Sequence, residues 1–143
     1  MILEEDLYFE IVDHGDSVFV TPLKLSHPTA DEEWDRYWID CLVRVKASCF
    51  YGEYHTQLMI HDFINLRKQI DALYDNLAGT ANFEPLERGL CLFIQGDGVG
   101  HFELTVTARE NFDAKLVFTL SFDQTIIKTL LRQLNNIIAR YQS

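Results

Sequence analysis

Three polar side chains in strand-like segments are the residues best suited to hold a ligand. His101 and Glu103 lie two positions apart, so they share one face of a strand, and His55 could lie on a neighbouring strand. A metal site needs three such ligands to converge, and zinc favours close pairs such as Cys-x-x-Cys or His-x-x-x-His, which the sequence lacks. A site for a small molecule or a metal at these three residues is kept as the alternative hypothesis. We expect no cofactor.

The glycine-rich stretch Gly96-x-Gly98-x-Gly100 invites comparison with phosphate-binding loops. Such a loop must open a helix so that free backbone N–H groups point at the anion, whereas a strand pattern follows this one. Asp97 and Gly98 between two strand patterns instead predict a type I′ hairpin turn, in which both residues have positive φ. We therefore assign the glycines to a turn and not to a nucleotide site.

The sequence offers weak material for catalysis. Cys49 and Cys91 lie in apolar, strand-like surroundings, where cysteine behaves as a small buried hydrophobe. The Gly-x-Ser-x-Gly elbow of serine hydrolases is absent. The adjacent acids Glu32 and Glu33 lie in a charged stretch without the apolar pocket that would raise the pKa of one of them. We assign no catalytic residue and expect a protein that is not an enzyme.

Negative charge is concentrated near the N-terminus. The net charge is −10, and residues 1–40 hold eleven acids against two bases, which leaves −1 for residues 41–143. A single-sign field of this kind steers association with partners of opposite charge and repels nucleic acid. The basic residues form no run, so direct binding to nucleic acid is not expected. The charge distribution predicts a basic protein partner.

The acidic–aromatic segment, residues 31–38 (Asp-Glu-Glu-Trp-Asp-Arg-Tyr-Trp), is the candidate for binding that partner. Acids can steer the partner and pair with its cations, while aromatic side chains supply buried anchors. The alternative is a solvated acidic loop that Trp34 and Trp38 anchor to the core, since a charge run is commonly a solvated face. Both descriptions can hold at once. The predicted partner-binding residues are Glu32, Glu33, Trp34 and Asp35.

Length and composition predict one cytoplasmic domain over residues 1–143. The chain has 143 residues, of which 48% are hydrophobic, and no Ser/Gly/Pro-rich stretch divides it. The acidic N-terminus lacks the basic region of a secretory signal, and no apolar run approaches the roughly 20 residues of a membrane helix. Three cysteines without close spacing fit free thiols in a reducing compartment. The sequence leaves open whether the protein is a monomer or a homo-oligomer.

Alternation with a period of two residues predicts strands over most of the chain. Short connections, such as Asn111-Phe112-Asp113, make successive strands antiparallel. The predicted strands are at residues 8–12, 18–21, 37–46, 50–60, 90–95, 101–109 and 114–122.

Helical spacing replaces the alternation twice, near residues 62–78 and 125–141. Asp62 is predicted to cap the first helix and Gly79 to stop it, and Asp123 or Thr125 to cap the second. The predicted fold is α+β, a meandering antiparallel β-sheet with two helices packed on one face. The expected core side chains are Leu66, Ile70, Leu73, Leu104, Val106, Leu116, Phe118, Leu130, Leu134 and Ile138.

Four stretches of the sequence resemble the WapI-type immunity proteins, small bacterial proteins encoded with polymorphic toxins. They are residues 38–45 (WIDCLVRV), 73–79 (LYDNLAG), 94–104 (IQGDGVGHFEL) and 122–126 (FDQTI). The resemblance runs from about residue 36 to the end, and the acidic N-terminal part shows no motif of that family. It implies a non-enzymatic inhibitor that binds a toxin domain, often a nuclease, and it carries no catalytic residue over to this chain.

Overall fold

The computed structural model describes residues 7–111 and 113–142, which contain eight β-strands and two α-helices. Within these ranges, no helix is long and apolar enough to cross a membrane. A short 3₁₀ turn, Trp34–Tyr37, precedes the third strand. In chain order the elements are β1 (Phe9–Asp13), β2 (Asp16–Leu25), β3 (Trp38–Ala47), β4 (Phe50–Met59), α1 (Ile60–Asn76), β5 (Ala78–Phe83), β6 (Leu90–Asp97), β7 (His101–Glu110), β8 (Ala114–Asp123) and α2 (Gln124–Tyr141).

The strands form two antiparallel meanders of four strands each, in the orders β1-β2-β3-β4 and β5-β6-β7-β8. The α+β class predicted from the sequence is therefore confirmed. The meander is divided into two sheets because α1 follows β4 and carries the chain away from it. The next strand, β5, then pairs with β6 and begins a second sheet.

Four strands followed by a helix occur twice, so the chain contains two copies of one structural repeat. The strand registers correspond in the two repeats. His55 of β4 pairs with Leu42 of β3 in the first sheet, and Thr119, at the equivalent position of β8, pairs with Thr105 of β7 in the second. The helices bury side chains at corresponding positions: Phe63, Leu66, Ile70 and Leu73 in α1, and Ile127, Leu130, Leu134 and Ile137 in α2.

One continuous hydrophobic core joins both sheets and both helices. Alternate residues of β3 and β7 face this core, as Val43 and Val106 do, and both are fully buried. Phe9 of β1 packs edge-on against Phe63 of α1 and Phe83 of β5, with ring centroids 6.1 and 6.3 Å apart. The aromatic contacts thus connect the first sheet, the first helix and the second sheet.

Most of the predicted core is buried, with two exceptions on β8. Leu116 and Phe118 are only partly buried. Because β8 is an edge strand of its sheet, it lacks a neighbouring strand on one side whose side chains would cover them. The buried members are Leu66, Ile70, Leu73, Leu104, Val106, Leu130, Leu134 and Ile138.

The helix ends differ in part from the predicted caps. Asp62 is the third residue of α1, and its carboxylate accepts the backbone N–H of Met59 at 2.8 Å. The helix ends before Leu77, which adopts the left-handed conformation with φ 61°, so Gly79 is not the stop. The predicted cap of α2 is confirmed, because the carboxylate of Asp123 accepts the backbone N–H of Thr125 at 3.0 Å.

The turn between β6 and β7 is not the predicted type I′ turn. Asp97 is the last residue of β6 and lacks the positive φ which that turn requires, and residues 98–100 connect the strands. The Asp97 carboxylate accepts the N–H groups of Val99 at 2.8 Å and His101 at 3.1 Å, and these bonds favour a longer turn. The other predicted hairpin loop, Asn111-Phe112-Asp113, joins β7 to β8, and its central residue lies outside the described residues.

Substitution of Gly96 tests how closely the end of α1 packs against the second sheet. A Cβ atom at Gly96 would lie 2.4 Å from the backbone oxygen of Leu77, which cannot move without shifting the end of α1. We expect Gly96→Ala to lower the free energy of unfolding by about 1–3 kcal/mol, as overpacking does. Gly98→Val, which strains a residue at φ +88° but meets only the Cβ of Ala78 at 3.8 Å, should cost about 1–2 kcal/mol. Urea unfolding measures both, and a Gly96→Ala protein as stable as the wild type would contradict the close approach.

Candidate functional site

The acidic–aromatic segment is an exposed surface feature immediately before β3. Glu32, Glu33 and Asp35 are exposed, and Trp34 leaves 55% of its surface accessible. Trp38, by contrast, is buried at the start of β3. The segment therefore combines solvated acids with a large aromatic side chain that the core does not cover.

The side chain of His61, in the first turn of α1, packs against two aromatic side chains of this segment. The Trp34 ring stacks on the imidazole, with centroids 5.7 Å apart and planes 15° from parallel. Tyr37 meets the same imidazole edge-on at 5.1 Å. The Tyr37 hydroxyl donates to the Glu33 carboxylate at 2.5 Å, and this hydrogen bond raises the pKa of Tyr37. Neither His61 nor Tyr37 was predicted as a site residue, because no local pattern links the segment to the start of a helix.

Other acids of the N-terminal part hold the fold together. Asp13 accepts the backbone N–H of Ser121 at 2.9 Å, which ties the first hairpin to β8. Asp16 accepts the N–H of Ser48 at 2.8 Å. Asp40 accepts the Ser26 hydroxyl at 2.6 Å and the Gln57 amide at 3.3 Å; Glu4, Glu5 and Asp6 lie outside the described residues. The acids free to meet a partner are thus concentrated in the segment itself.

Comparison of the two repeats shows that the segment lies in the longer of two corresponding hairpin loops. Thirteen residues, 26–38, separate the last paired residues of the β2–β3 hairpin, Leu25 and Ile39. Only five, 97–101, separate Gly96 and Phe102 in the corresponding β6–β7 hairpin. The repeat can therefore be closed by a short turn. Long loops held on rigid elements commonly carry function, and this one is the longer of the pair.

The predicted alternative site is not assembled in one place. His101 and Glu103 line an open groove of about 550 Å³, which we call the polar groove, at one end of the second sheet. His55 lies on β4 of the first sheet and lines two other cavities, of about 200 and 520 Å³. The three side chains share strand parity, but their strands belong to different sheets.

The acids of the polar groove are already engaged in local structure. Backbone N–H groups of Val99 and His101 lower the pKa of Asp97, and the Nδ1 atom of His101 lies 3.4 Å from its carboxylate. The hydroxyl and N–H of Thr125 lower the pKa of Asp123, which caps α2. Among residues 7–111 and 113–142, no three His, Cys, Asp or Glu side chains are grouped so as to hold a metal.

The cysteines do not provide an activated nucleophile at the buried positions. Burial raises the pKa of the Cys41 thiol, which lies in the core, and that of the half-buried Cys91. A raised pKa keeps the thiol protonated and unreactive. Cys49 is exposed in the turn between β3 and β4.

Asp97 should make stability sensitive to acid. Its folded pKa is depressed, so its contribution is present above the unfolded pKa of about 3.9 and is lost as pH falls through the lower folded value. We expect Asp97→Asn to be less stable than the wild type at neutral pH and to lose less stability between about pH 5 and pH 2. Urea unfolding across that range measures both effects. The exposed Asp75→Asn on α1 is the control, and an identical pH profile for the two variants would contradict the assignment.

Comparisons with known proteins place the chain in a family. None of the curated proteins matches it. The crystal structure of WHY1 from Arabidopsis thaliana is similar over 94% of this chain and 89% of that one, with 13% identity and a TM-score of 0.48, which carries no argument about function. The model of the immunity protein WapI-like family matches residues 9–142 and so includes the N-terminal strands that showed no family motif. The chain therefore belongs to the immunity protein WapI-like family.

Proposed function

We propose that this protein is a cytoplasmic immunity protein that binds a basic toxin domain and blocks it without chemistry of its own. The observation that carries the proposal is the exposed acidic–aromatic segment, which lengthens a hairpin that the second repeat closes in five residues. Membership of an immunity protein family supports the general role. The toxin's basic character and the binding residues are the parts that we add.

The negative charge of the segment would attract the partner before contact is made. Nuclease domains must contact phosphate, so their working surfaces tend to be basic. Glu32, Glu33 and Asp35 are exposed side by side and can attract such a surface over a distance of about 8–10 Å, the screening length near physiological salt. Covering the phosphate-binding surface would be sufficient to inhibit the toxin.

Trp34 gives the segment a means of holding the partner after the first encounter. Its exposed half is available for burial, and aromatic side chains dominate the energetics of many protein interfaces. The stack on His61 fixes the ring before binding, so little side-chain entropy remains to be lost. Affinity would then depend on Trp34, and the association rate on the acids.

The proposal is tested with the C-terminal domain of a large secreted protein encoded beside this one. The triple variant Glu32→Gln, Glu33→Gln, Asp35→Asn should associate about tenfold more slowly at low salt, because the steering charges are gone. Trp34→Ala should lose about 2 kcal/mol of binding free energy. Stopped-flow or surface-based kinetics at several salt concentrations measures both changes.

A matched control removes the same charge elsewhere. Asp71→Asn, Asp75→Asn and Glu84→Gln together also change the net charge by three, at exposed positions outside the segment. This control should bind and protect cells as the wild type does. The proposal fails if the linked domain neither binds nor harms cells, or if both triple variants slow association equally.

A further inference from the structure

The edges of the two sheets differ in how their backbone groups are satisfied. The edge strands are β1 and β4 in the first sheet and β5 and β8 in the second. A sheet edge presents unpaired N–H and C=O groups, which other chains can pair with unless something covers them. Proteins commonly protect such edges, and the four edge strands here differ in how far they are protected.

Two glutamines each bond to one outward residue at the edges of β1 and β5. Gln133 of α2 accepts the outward N–H of Glu10 in β1 at 3.1 Å. Gln69 of α1 forms two bonds to Asn82 in β5, donating to its carbonyl and accepting its N–H, both at 2.7 Å. These glutamines occupy the same position of the two helices, nine residues after Ile60 and Gln124. These contacts are thus a feature of the repeat.

The edge of β4 has no such glutamine contact. Ala47 and Phe50 flank the two-residue turn after β3 and pair directly, so the residues of β4 with even numbers bond to β3. Met59, at an odd position, confirms the alternation, since its N–H points outward to Asp62. No hydrogen bond from elsewhere in the described chain reaches the remaining outward groups. Those groups belong to Tyr51, Glu53, His55 and Gln57.

The corresponding strand of the second repeat has one outward contact that β4 lacks. Ser121 of β8, the counterpart of Gln57, gives its outward N–H to Asp13 of the first hairpin. The equivalent contact is missing at Gln57, whose side-chain amide instead turns to Asp40 on its own sheet. Four successive outward positions of β4 therefore remain unpaired within the described residues.

Two clefts lie beside the open edge and define what could occupy it. The first, about 410 Å³, is lined by Val45, Tyr54, Ala108 and Leu116, and Phe50 and Tyr51 at its rim are 61% and 63% exposed. Glu53, Glu110 and Lys115 also line it, so the cleft has an apolar part and a charged part. An aliphatic or aromatic side chain of a partner would fit the apolar part.

The second cleft, about 200 Å³, has a different character. Arg88 and Arg109 line it with His55 and Asn111, and Glu87 is its one acid. Neither arginine forms an ion pair within the described residues. Arg88 and Arg109 line this same cleft, so they lie near one another. In a protein of net charge −10, two arginines in one cleft are a local concentration of positive charge that would suit a carboxylate.

We propose that β4 accepts an extended segment of the toxin domain as a fifth strand of the first sheet. The segment would bond to the outward groups of β4, place an apolar side chain in the first cleft and place a carboxylate in the second. Alternate side chains of a strand point the same way and are about 7 Å apart, which suits neighbouring clefts along one edge. The inference rests on the proposed function and adds a second contact surface to it.

A second copy of this protein fits the edge less well. The inward side chains of its own β4 would be Gly52, Tyr54 and Thr56, and none offers a carboxylate to the arginines. Two chains of net charge −10 also repel each other. A partner of opposite overall charge with one local acid meets both requirements.

Proline substitution tests the backbone contact. His55→Pro removes an outward N–H but no bond to β3, which is the setting in which strands tolerate proline. Thr119→Pro is the matched control at the corresponding position of β8. With the linked C-terminal domain as the probe, we expect His55→Pro to weaken binding about tenfold or more and Thr119→Pro to leave it within about twofold.

Two further measurements keep the test independent of how the proline variant folds. In the wild-type complex, amide hydrogen exchange at residues 51, 53 and 57 should slow about tenfold or more. Arg88→Gln should weaken binding severalfold, while Glu87→Gln next to it should not.

The outcomes separate this inference from the proposed function. A complex in which the amides of residues 51–57 exchange as in the free protein would overturn the strand pairing and leave toxin binding intact. A free protein that is dimeric, with those amides already protected, would assign the edge to a second copy. If the linked domain does not bind at all, the proposed function and the strand pairing fail together.

Discussion

The shared hydrophobic core is the constraint on which the rest of the structure depends. Each four-stranded sheet has one apolar face that it cannot bury alone, and the two helices cover both. The contact of Phe9 with Phe63 and Phe83 joins a strand of each sheet to α1, so neither repeat is complete without the other. Because the inner faces of the sheets and helices are used in this packing, recognition must use the outer surface, which includes the loops and the sheet edges.

The junction between the two sheets is held at close range, and this fixes the clefts beside β4. A Cβ atom at Gly89 would lie 2.1 Å from the hydroxyl oxygen of Thr56 and 2.9 Å from its Cβ, so a side chain there would force one of the two residues to move. The hydroxyl of Tyr54 donates to the Gly89 carbonyl at 2.7 Å, and burial raises the pKa of that phenol. Arg109 donates its N–H to the same carbonyl at 3.0 Å. A rigid junction of this kind presents the β4 edge in one orientation, which reduces the entropy lost on binding.

Local patterns made part of this fold predictable and left part of it hidden. The alternation at 101–109 and the Asp123 cap depend on adjacent residues, so β7 and the start of α2 follow from the sequence. Residues 78–83 were not predicted as a strand, because AGTANF has little β-propensity and Gln69 of α1 supports it from a distance. The repeat was hidden because its halves share burial positions and not residue identities. Likewise, no local pattern indicates that Trp34 stacks on His61, or that His55 and His101 belong to different sheets.

The two proposed contact surfaces meet where β4 passes into α1. Met59, the last residue of β4, pairs with Trp38 at the end of the acidic–aromatic segment, and His61 beneath Trp34 follows two residues later. One partner could therefore touch the segment and the nearer end of the strand edge, and it would reach the first cleft, beside residues 50–54, by extending along β4. The two surfaces would also affect different steps of binding. Exposed acids act mainly on the association rate and are screened by salt, whereas strand pairing and a buried aromatic ring act mainly on the lifetime of the complex. A toxin variant could then lose the local acid that meets Arg88 and still be steered to this protein, but it would leave sooner.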